Sequence, residues 1–245
     1  MTQAPPSDAP RPVALVTGAS RGLGWSLALE AAARGMHVIA LARTVGALEE
    51  LDDAIRGAGG AATLVPLEVS DAEGVERLGQ AVAARWGALD LWLHCVSHAP
   101  ALSPVAHAEP KDLDKGWSVG VAPTQRLIQT LAPLLRRAEG GQAVWMDDLR
   151  DGEALFSTYA AAKAAARALW TAWAAESRRA AAPRIRRALP PPMATALRAR
   201  FYPGEDRTRL ADRAEVARRL FDALGTEGET IDLRDIAGAE SATAG

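Results

Sequence analysis

Val13-Ala-Leu-Val-Thr-Gly-Ala-Ser-Arg-Gly-Leu-Gly24 is the stretch that decides how this 245-residue chain is read. The four apolar residues Val13 to Val16 suit a strand buried on both faces. Gly18, Gly22 and Gly24 let the following backbone turn sharply and come close to a ligand. A helix starting at about Gly22 turns its unpaired N–H groups and the positive end of its dipole toward that turn, which suits an anion. The stretch therefore predicts a nucleotide phosphate site at the start of a doubly wound α/β domain. No Gly-Lys-Ser/Thr closes the turn, so a dinucleotide is expected rather than ATP.

Outward from this turn, strand and helix signals alternate to the end of the chain. The first helix ends at Arg34-Gly35, and a strand follows from Met36 to Leu41. Thr44 is placed to cap a second helix running to about Arg56. A third strand is expected from Ala62 to Val69, and Ser70 with Glu73 resembles a capping box opening a third helix that closes at Trp86-Gly87. A fourth strand spans Leu89 to Val96. Helix 4 starts at Pro110 and should bend at Pro123. A fifth strand, Ala143 to Asp147, leads through a short polar loop into helix 5, the alanine-rich Ser157 to Arg179. A strand at Arg184 to Leu189, a last helix near Ala214 to Leu224 and a strand at Glu229 to Leu233 complete the series. The arginines between Arg178 and Arg187 read as a solvated helix end and strand edge, and Trp170 and Trp173 as packing residues. The pattern gives one domain, residues 13–236, with a mostly parallel seven-stranded sheet and helices on both faces. Residues 1–12, with four prolines, and 237–245 read as flexible tails.

With 28 basic and 30 acidic residues the chain carries no strong field, which argues against nucleic acid and anionic membranes as partners. No apolar run approaches the roughly 18 residues that span a bilayer. The one cysteine, Cys95, cannot form an internal disulfide, and the expectation is a cytoplasmic protein acting on a small molecule. His94 and His98 have a metal-like spacing, but they straddle a strand end and no second ligand pair accompanies them, so no metal is expected.

Tyr159-Ala-Ala-Ala-Lys163 begins helix 5, and the i, i+4 spacing puts both side chains on one face. An ammonium beside a phenol lowers the phenol pKa and makes it an acid or base of use near neutrality. The glycine turn after the first strand, followed by Tyr-x-x-x-Lys after the fifth, resembles the short-chain dehydrogenase/reductase family. The likeness covers roughly Val13 to Leu233 and implies a Rossmann-type fold and hydride transfer to or from a carbonyl or alcohol carbon. It implies that Gly18, Ser20, Arg21, Gly22, Leu23 and Gly24 line the pyrophosphate turn. Glu68, Val69 and Thr195 also fall at family cofactor positions. Tyr159 becomes the acid/base, and Lys163 holds the nicotinamide ribose. A homodimer or homotetramer through helices 4 and 5 is implied as well.

Family members that prefer NAD usually end the second strand with an acid, whereas this one ends Leu41-Ala42-Arg43. Arg43 and Arg21 together suit a 2′-phosphate, so NADP is expected in preference to NAD. Other family positions have changed. His94-Cys95-Val96-Ser97 stands in place of Asn-Asn-Ala-Gly, with the expected loss of polar groups that brace the sheet. The helix 4 asparagine falls at Gly120, whose carbonyl could still serve a water relay to Lys163. Asp148 takes the place of the serine that donates to the substrate oxygen; a carboxylate cannot donate, and it raises the pKa of a nearby tyrosine. Reduction, which needs a protonated Tyr159, tolerates this better than oxidation does. Ser157 is a candidate substitute donor. The expected activity is reduction of a small carbonyl compound; the alternative is a family member that binds nucleotide or a partner subunit without turnover.

Overall fold

The computed structural model describes residues 11–178 and 182–236. Most of both tails and Arg179 lie outside these residues. Pro12, assigned above to the flexible tail, is tied to the sheet: its carbonyl accepts the His37 N–H at 2.8 Å.

Seven strands make one sheet in the order β3-β2-β1-β4-β5-β6-β7, and every neighbouring pair is parallel. They are β1 (Val13–Thr17), β2 (His37–Ala42), β3 (Ala61–Pro66), β4 (Leu91–His94), β5 (Gln142–Met146), β6 (Arg184–Leu189) and β7 (Thr230–Asp232). The helices are α1 (Gly22–Ala33), α2 (Val45–Gly57), α3 (Ala72–Trp86), α4 (Pro110–Gly116), α5 (Ala122–Leu135), α6 (Ser157–Glu176), α7 (Ala196–Phe201) and α8 (Arg213–Ala223). All five β1 residues are buried, as their apolar run requires of a central strand. The strand order reverses between β1 and β4, and a crevice opens there beyond the carboxyl ends of the strands.

Each face of the sheet has its own core. On one, Leu27, Ala28 and Ala31 of α1 meet Val216 and Leu220 of α8. On the other, Val75 of α3, Leu127 and Leu131 of α5 and Trp170 of α6 cover the strands. Trp170 packs on Trp92 and Trp145, with ring centroids 5.2 and 6.1 Å away, and its indole N–H donates to the Arg186 carbonyl at 2.7 Å. This is the packing role read for Trp170 and Trp173.

Several local expectations are corrected. The third strand stops at Pro66 instead of reaching Val69, and the fourth is only Leu91–His94. The cap of α3 is Asp71, whose side chain accepts the Gly74 N–H, and not Ser70. Thr44 does sit at the N-cap of α2, but its hydroxyl makes no capping bond. The helix starting at Pro110 does not simply bend at Pro123. It widens through a π-helical turn, Trp117–Val121, just before the proline, which absorbs the missing N–H. Helix α7, capped by Thr195, was not expected. Arg186 is not solvated: it is 1% exposed and donates to the carbonyls of Gly228 (2.9 Å) and Ala223 (2.8 Å) and to Thr226 Oγ1 (3.2 Å). A guanidinium there satisfies carbonyls at the C-terminus of α8 that the helix leaves unpaired.

Candidate active site

The crevice beyond β1 and β4 is a cleft of about 870 Å³. On its β1 side the backbone does the shaping. Gly22 has φ +62°, a conformation that favours glycine, and a Cβ on Gly24 would lie 2.3 Å from the Gly18 carbonyl oxygen. The glycines thus allow α1 to start directly against the turn. Arg21, at the N-cap, makes no side-chain capping bond, so the first N–H groups of α1 are left for a ligand. Ser20, Arg21, Leu23, Arg43, Glu68, Val69 and Thr195 line the same cleft. Arg43 Nη1 reaches Glu68 Oε2 at 3.2 Å, and both side chains are well exposed. A glycine turn with free N–H groups, flanked by two arginines, fits the pyrophosphate and 2′-phosphate of an NADP-type dinucleotide.

On the β5 side the side chains do the shaping. Tyr159 and Lys163 are both buried on the cleft-facing side of α6. Lys163 Nζ donates to the Met146 carbonyl at 2.8 Å and lies 4.8 Å from the centre of the Trp145 ring. Burial lowers the pKa of Lys163, while the charges of Asp147 and Asp148 oppose that fall. Tyr159 Oη donates to Asp148 Oδ2 at 3.1 Å. Burial first, and then the Asp148 charge, push the Tyr159 pKa well up, with only the Ser97 hydroxyl and Arg150 acting the other way. Its phenol is therefore held protonated through the neutral range.

Asp148 does not stand alone. Arg150 Nε donates to Asp148 Oδ1 at 3.0 Å, its Nη1 to Glu153 at 2.8 Å, and its guanidinium lies over Phe156. The neighbouring Asp147 is fully buried on its own ion pair with Arg167 (2.7 Å) and accepts the Asp148 N–H. The loop between β5 and α6 is thus pinned at both acids. Leu155, at φ 71°, is the one described non-glycine residue with positive φ, and its carbonyl accepts Ser103 N–H at 3.2 Å.

His94 replaces the lost bracing groups rather than leaving the sheet without them. Its Nδ1 is 2.7 Å from Thr17 Oγ1 and its Nε2 2.9 Å from Thr124 Oγ1. Thr124 Oγ1 donates to the Gly120 carbonyl at 2.6 Å, so it must accept from His94 Nε2–H. Nδ1 is then the acceptor, and Thr17, which itself receives the Trp92 indole N–H at 3.3 Å, is its donor. The imidazole is neutral in this chain, and burial lowers its pKa to about 3. A polar path thereby runs from the middle of the sheet to Gly120 in the π turn.

The sequence-derived residues Gly18, Ser20, Arg21, Gly22, Leu23, Gly24, Arg43, Glu68, Val69, Asp148, Tyr159, Lys163 and Thr195 all line one cleft. Ser157 does not: its hydroxyl is buried without a protein partner, away from the cleft lining, so it is no substitute donor. Sequence reasoning missed Arg150 and the His94–Thr124 pair. A basic residue two places after Asp148 was the only local hint of the first. Nothing local announced the second.

A family model described as short chain dehydrogenase matches residues 12–206. Fatty acyl-CoA reductase of Acinetobacter baylyi is 30% identical over 158 residues, covering 62% of this chain and 53% of that protein. The chain thus spans about half the length of that relative. A short chain dehydrogenase structure from Pseudomonas syringae superposes with a TM-score of 0.85 at 28% identity, covering 90% of this chain and 94% of that one. One from Escherichia coli, complexed with NADPH, superposes with a TM-score of 0.82 at 28% identity over 90% and 95% of the two chains. The matched residues 12–206 span the glycine turn and the Tyr159/Lys163 pair described above: this chain belongs to the short-chain dehydrogenase family.

Proposed function

We propose that the protein is an NADP(H)-dependent oxidoreductase that reduces a small carbonyl compound, with Tyr159 as the acid. The observation that carries this reading is the Tyr159–Asp148 contact, which keeps the phenol protonated in the cleft that also holds Lys163 and the glycine turn. The NADPH complex of the Escherichia coli structure supports the choice of nucleotide, as do Arg21 and Arg43 beside the turn.

Bound at the turn, the dinucleotide would supply the hydride. Gly18 and Gly22 would let the backbone approach the pyrophosphate, Arg21 and Arg43 would pair with the 2′-phosphate, and Thr195 would help hold the nicotinamide end. Tyr159 gives its proton to the substrate oxygen as negative charge develops there. To do so the phenol turns from Asp148 toward the substrate, and Arg150 keeps the carboxylate compensated meanwhile. Lys163 places a positive charge behind the departing proton. Alcohol oxidation needs the tyrosinate, which burial and Asp148 both oppose, so reduction is the favoured direction.

The same contact also favours a second reading, in which Tyr159 stays committed to Asp148 and the protein binds nucleotide without turnover. Nicotinamide fluorescence titration with NADPH and NADH, followed by NADPH consumption on a panel of aldehydes, ketones and acyl thioesters, separates the two. The thioesters enter because of the acyl-CoA reductase relative. The first reading expects turnover that falls about 10²–10⁴-fold in Tyr159→Phe while binding persists. Tight binding with no turnover on any carbonyl leaves the second, and failure of both nucleotides to bind overturns both. Assembly into a homo-oligomer through α4–α5 and α6 belongs to the same proposal, and Trp117 and Leu113 are exposed near that surface. Sedimentation at micromolar concentration tests it, and a monomer refutes it.

A further inference from the structure

The Tyr159 end of the cleft is bounded by the loop after β4, the loop after β5 and helix α7, and its lining there is of two kinds. Ala99, Leu149, Leu197 and Phe201 are apolar, and the Phe201 ring packs edge-on to Tyr159 with centroids 5.0 Å apart. Arg150, Arg198 and Arg200 bring charge. Two of these arginines already hold acids. Arg150 donates to Asp148 and Glu153, and Arg198 donates to both oxygens of Glu205 through Nε and Nη2, at 2.6 and 2.5 Å. Arg200 meets no acid among the described residues. Its Nε donates to the Pro100 carbonyl at 3.4 Å, which ties the end of α7 to the loop after β4, while Nη1 and Nη2 donate to no protein group among the described residues. Its charge is felt at the cleft wall: burial first lowers the pKa of His98, Asp112 raises it, and Lys115, Arg200 and Arg43 lower it further. Arg207 and Arg209, farther along the chain, do not line the cleft.

A guanidinium whose Nε is engaged still presents the edge between Nη1 and Nη2, and that edge matches two oxygens of one oxyanion. We propose that Arg200 determines substrate specificity, and that the substrate carries a terminal oxyanion, separated from its carbonyl by an apolar segment and held by Arg200 Nη1 and Nη2. The proposal rests on the oxidoreductase reading above and names what that site reduces. The carbonyl lies at Tyr159, the carbon chain runs along Leu149, Leu197 and Phe201, and the anion ends at α7. A single open guanidinium edge suits a monoanion, so an oxo acid is the expected form; a phosphate ester shares the chemistry and is separated from it below. Arg198 cannot take this part, because Glu205 occupies its fork. Arg200 is exposed before the substrate arrives, so the pair contributes at the lower end of what a hydrogen bond to a charged group supplies, about tenfold in kcat/KM.

Straight-chain methyl ketones of increasing length, each as its terminal carboxylate, phosphate and carboxamide, test the proposal with NADPH and with the variants Arg200→Gln and Arg200→Lys. At the best length the carboxylate should exceed the carboxamide roughly tenfold in kcat/KM, mostly through KM. Arg200→Gln should abolish that preference while the carboxamide rate and NADPH binding stay at the parent values, and Arg200→Lys should keep part of it. A merely structural role would lower all three substrates together. A phosphate preferred over the carboxylate, and lost in the same variant, keeps the oxyanion site and assigns it to phosphate esters. A parent indifferent to the terminal group, or a Gln variant that keeps the preference, overturns the proposal. If no ketone is reduced, the oxidoreductase reading fails by itself, and calorimetric titration of the oxo acids into the protein, with and without NADPH, decides the anion site: binding weakened about tenfold by Arg200→Gln supports it, and equal or absent binding overturns it.

Discussion

On the β1 side of the cleft the site is made of backbone: glycine positions, an uncapped helix start and a turn into which no Cβ fits at Gly24. On the β5 side it is made of side chains, with Tyr159 on Asp148, Asp148 on Arg150, and Lys163 on a carbonyl. The sequence resembles the family pattern at the first and departs from it in the second, at Asp148 and Gly120. A backbone cradle fails as soon as a side chain is added, so its sequence has little freedom. A side-chain network can exchange one polar group for another when a new partner comes within reach, as Arg150 does for Asp148 and as the threonines do for His94.

The contrast can be broken at four points, in order of expected size. His94 is neutral in the fold with a pKa near 3, against an ordinary value near 6.5 in the unfolded chain. The unfolded state therefore gains the proton first, and stability present above pH 6.5 is lost as pH falls toward 3. At about 1.4 kcal/mol per pH unit, roughly 3 kcal/mol is lost by pH 4.5. His94→Asn should flatten that slope in urea titrations run from pH 7 to 4.5, and an equal slope in both proteins shows that the buried chain is not what the protonated ring disrupts. Next, Gly24→Ala forces a Cβ against the Gly18 carbonyl and should cost about 2 kcal/mol of stability as well as nucleotide affinity. Unchanged melting and unchanged NADPH binding would remove the backbone side of the comparison.

Asp148→Ser removes the charge that raises the Tyr159 pKa, so alcohol oxidation at pH 9 should rise about tenfold, equivalent to one pKa unit. Oxidation that stays flat would mean that burial alone sets the phenol. The smallest effect is expected at Arg43, which is exposed and already paired with Glu68. Arg43→Ala should weaken NADPH binding about fivefold, near 1 kcal/mol, and leave NADH unaffected. Equal weakening of the two nucleotides contradicts the 2′-phosphate role.

What was legible in the sequence followed contact range. The glycine turn and Tyr159/Lys163 are read within a few residues, because a turn and a helix face are local geometry. The seven parallel strands follow from alternating apolar runs and helices. His94 could not be read in the same way: its partners Thr17 and Thr124 are 77 and 30 positions away, and only the β1–β4 register brings the first of them alongside. Arg186 looked like a surface cation because the carbonyls that accept its protons come from α8 and the loop beyond it, some 40 positions on. The π turn before Pro123 was reduced to a bend, since the sequence marks the missing donor but not how the helix closes around it.

The sequence by itself determined the alternating fold, the place of the glycine turn and the pairing of a phenol with a lysine on one helix face, because each is set by short-range sterics and periodicity. Only the tertiary structure decided the state of those groups. It brought Asp148 within 3.1 Å of Tyr159 and set Arg150 against Asp148. It also ran the His94 chain to Gly120 and tied Arg200 to the Pro100 carbonyl. Protonation depends on burial and on charges a few ångströms away, and those distances exist only once the strands are aligned and α6 is packed across them.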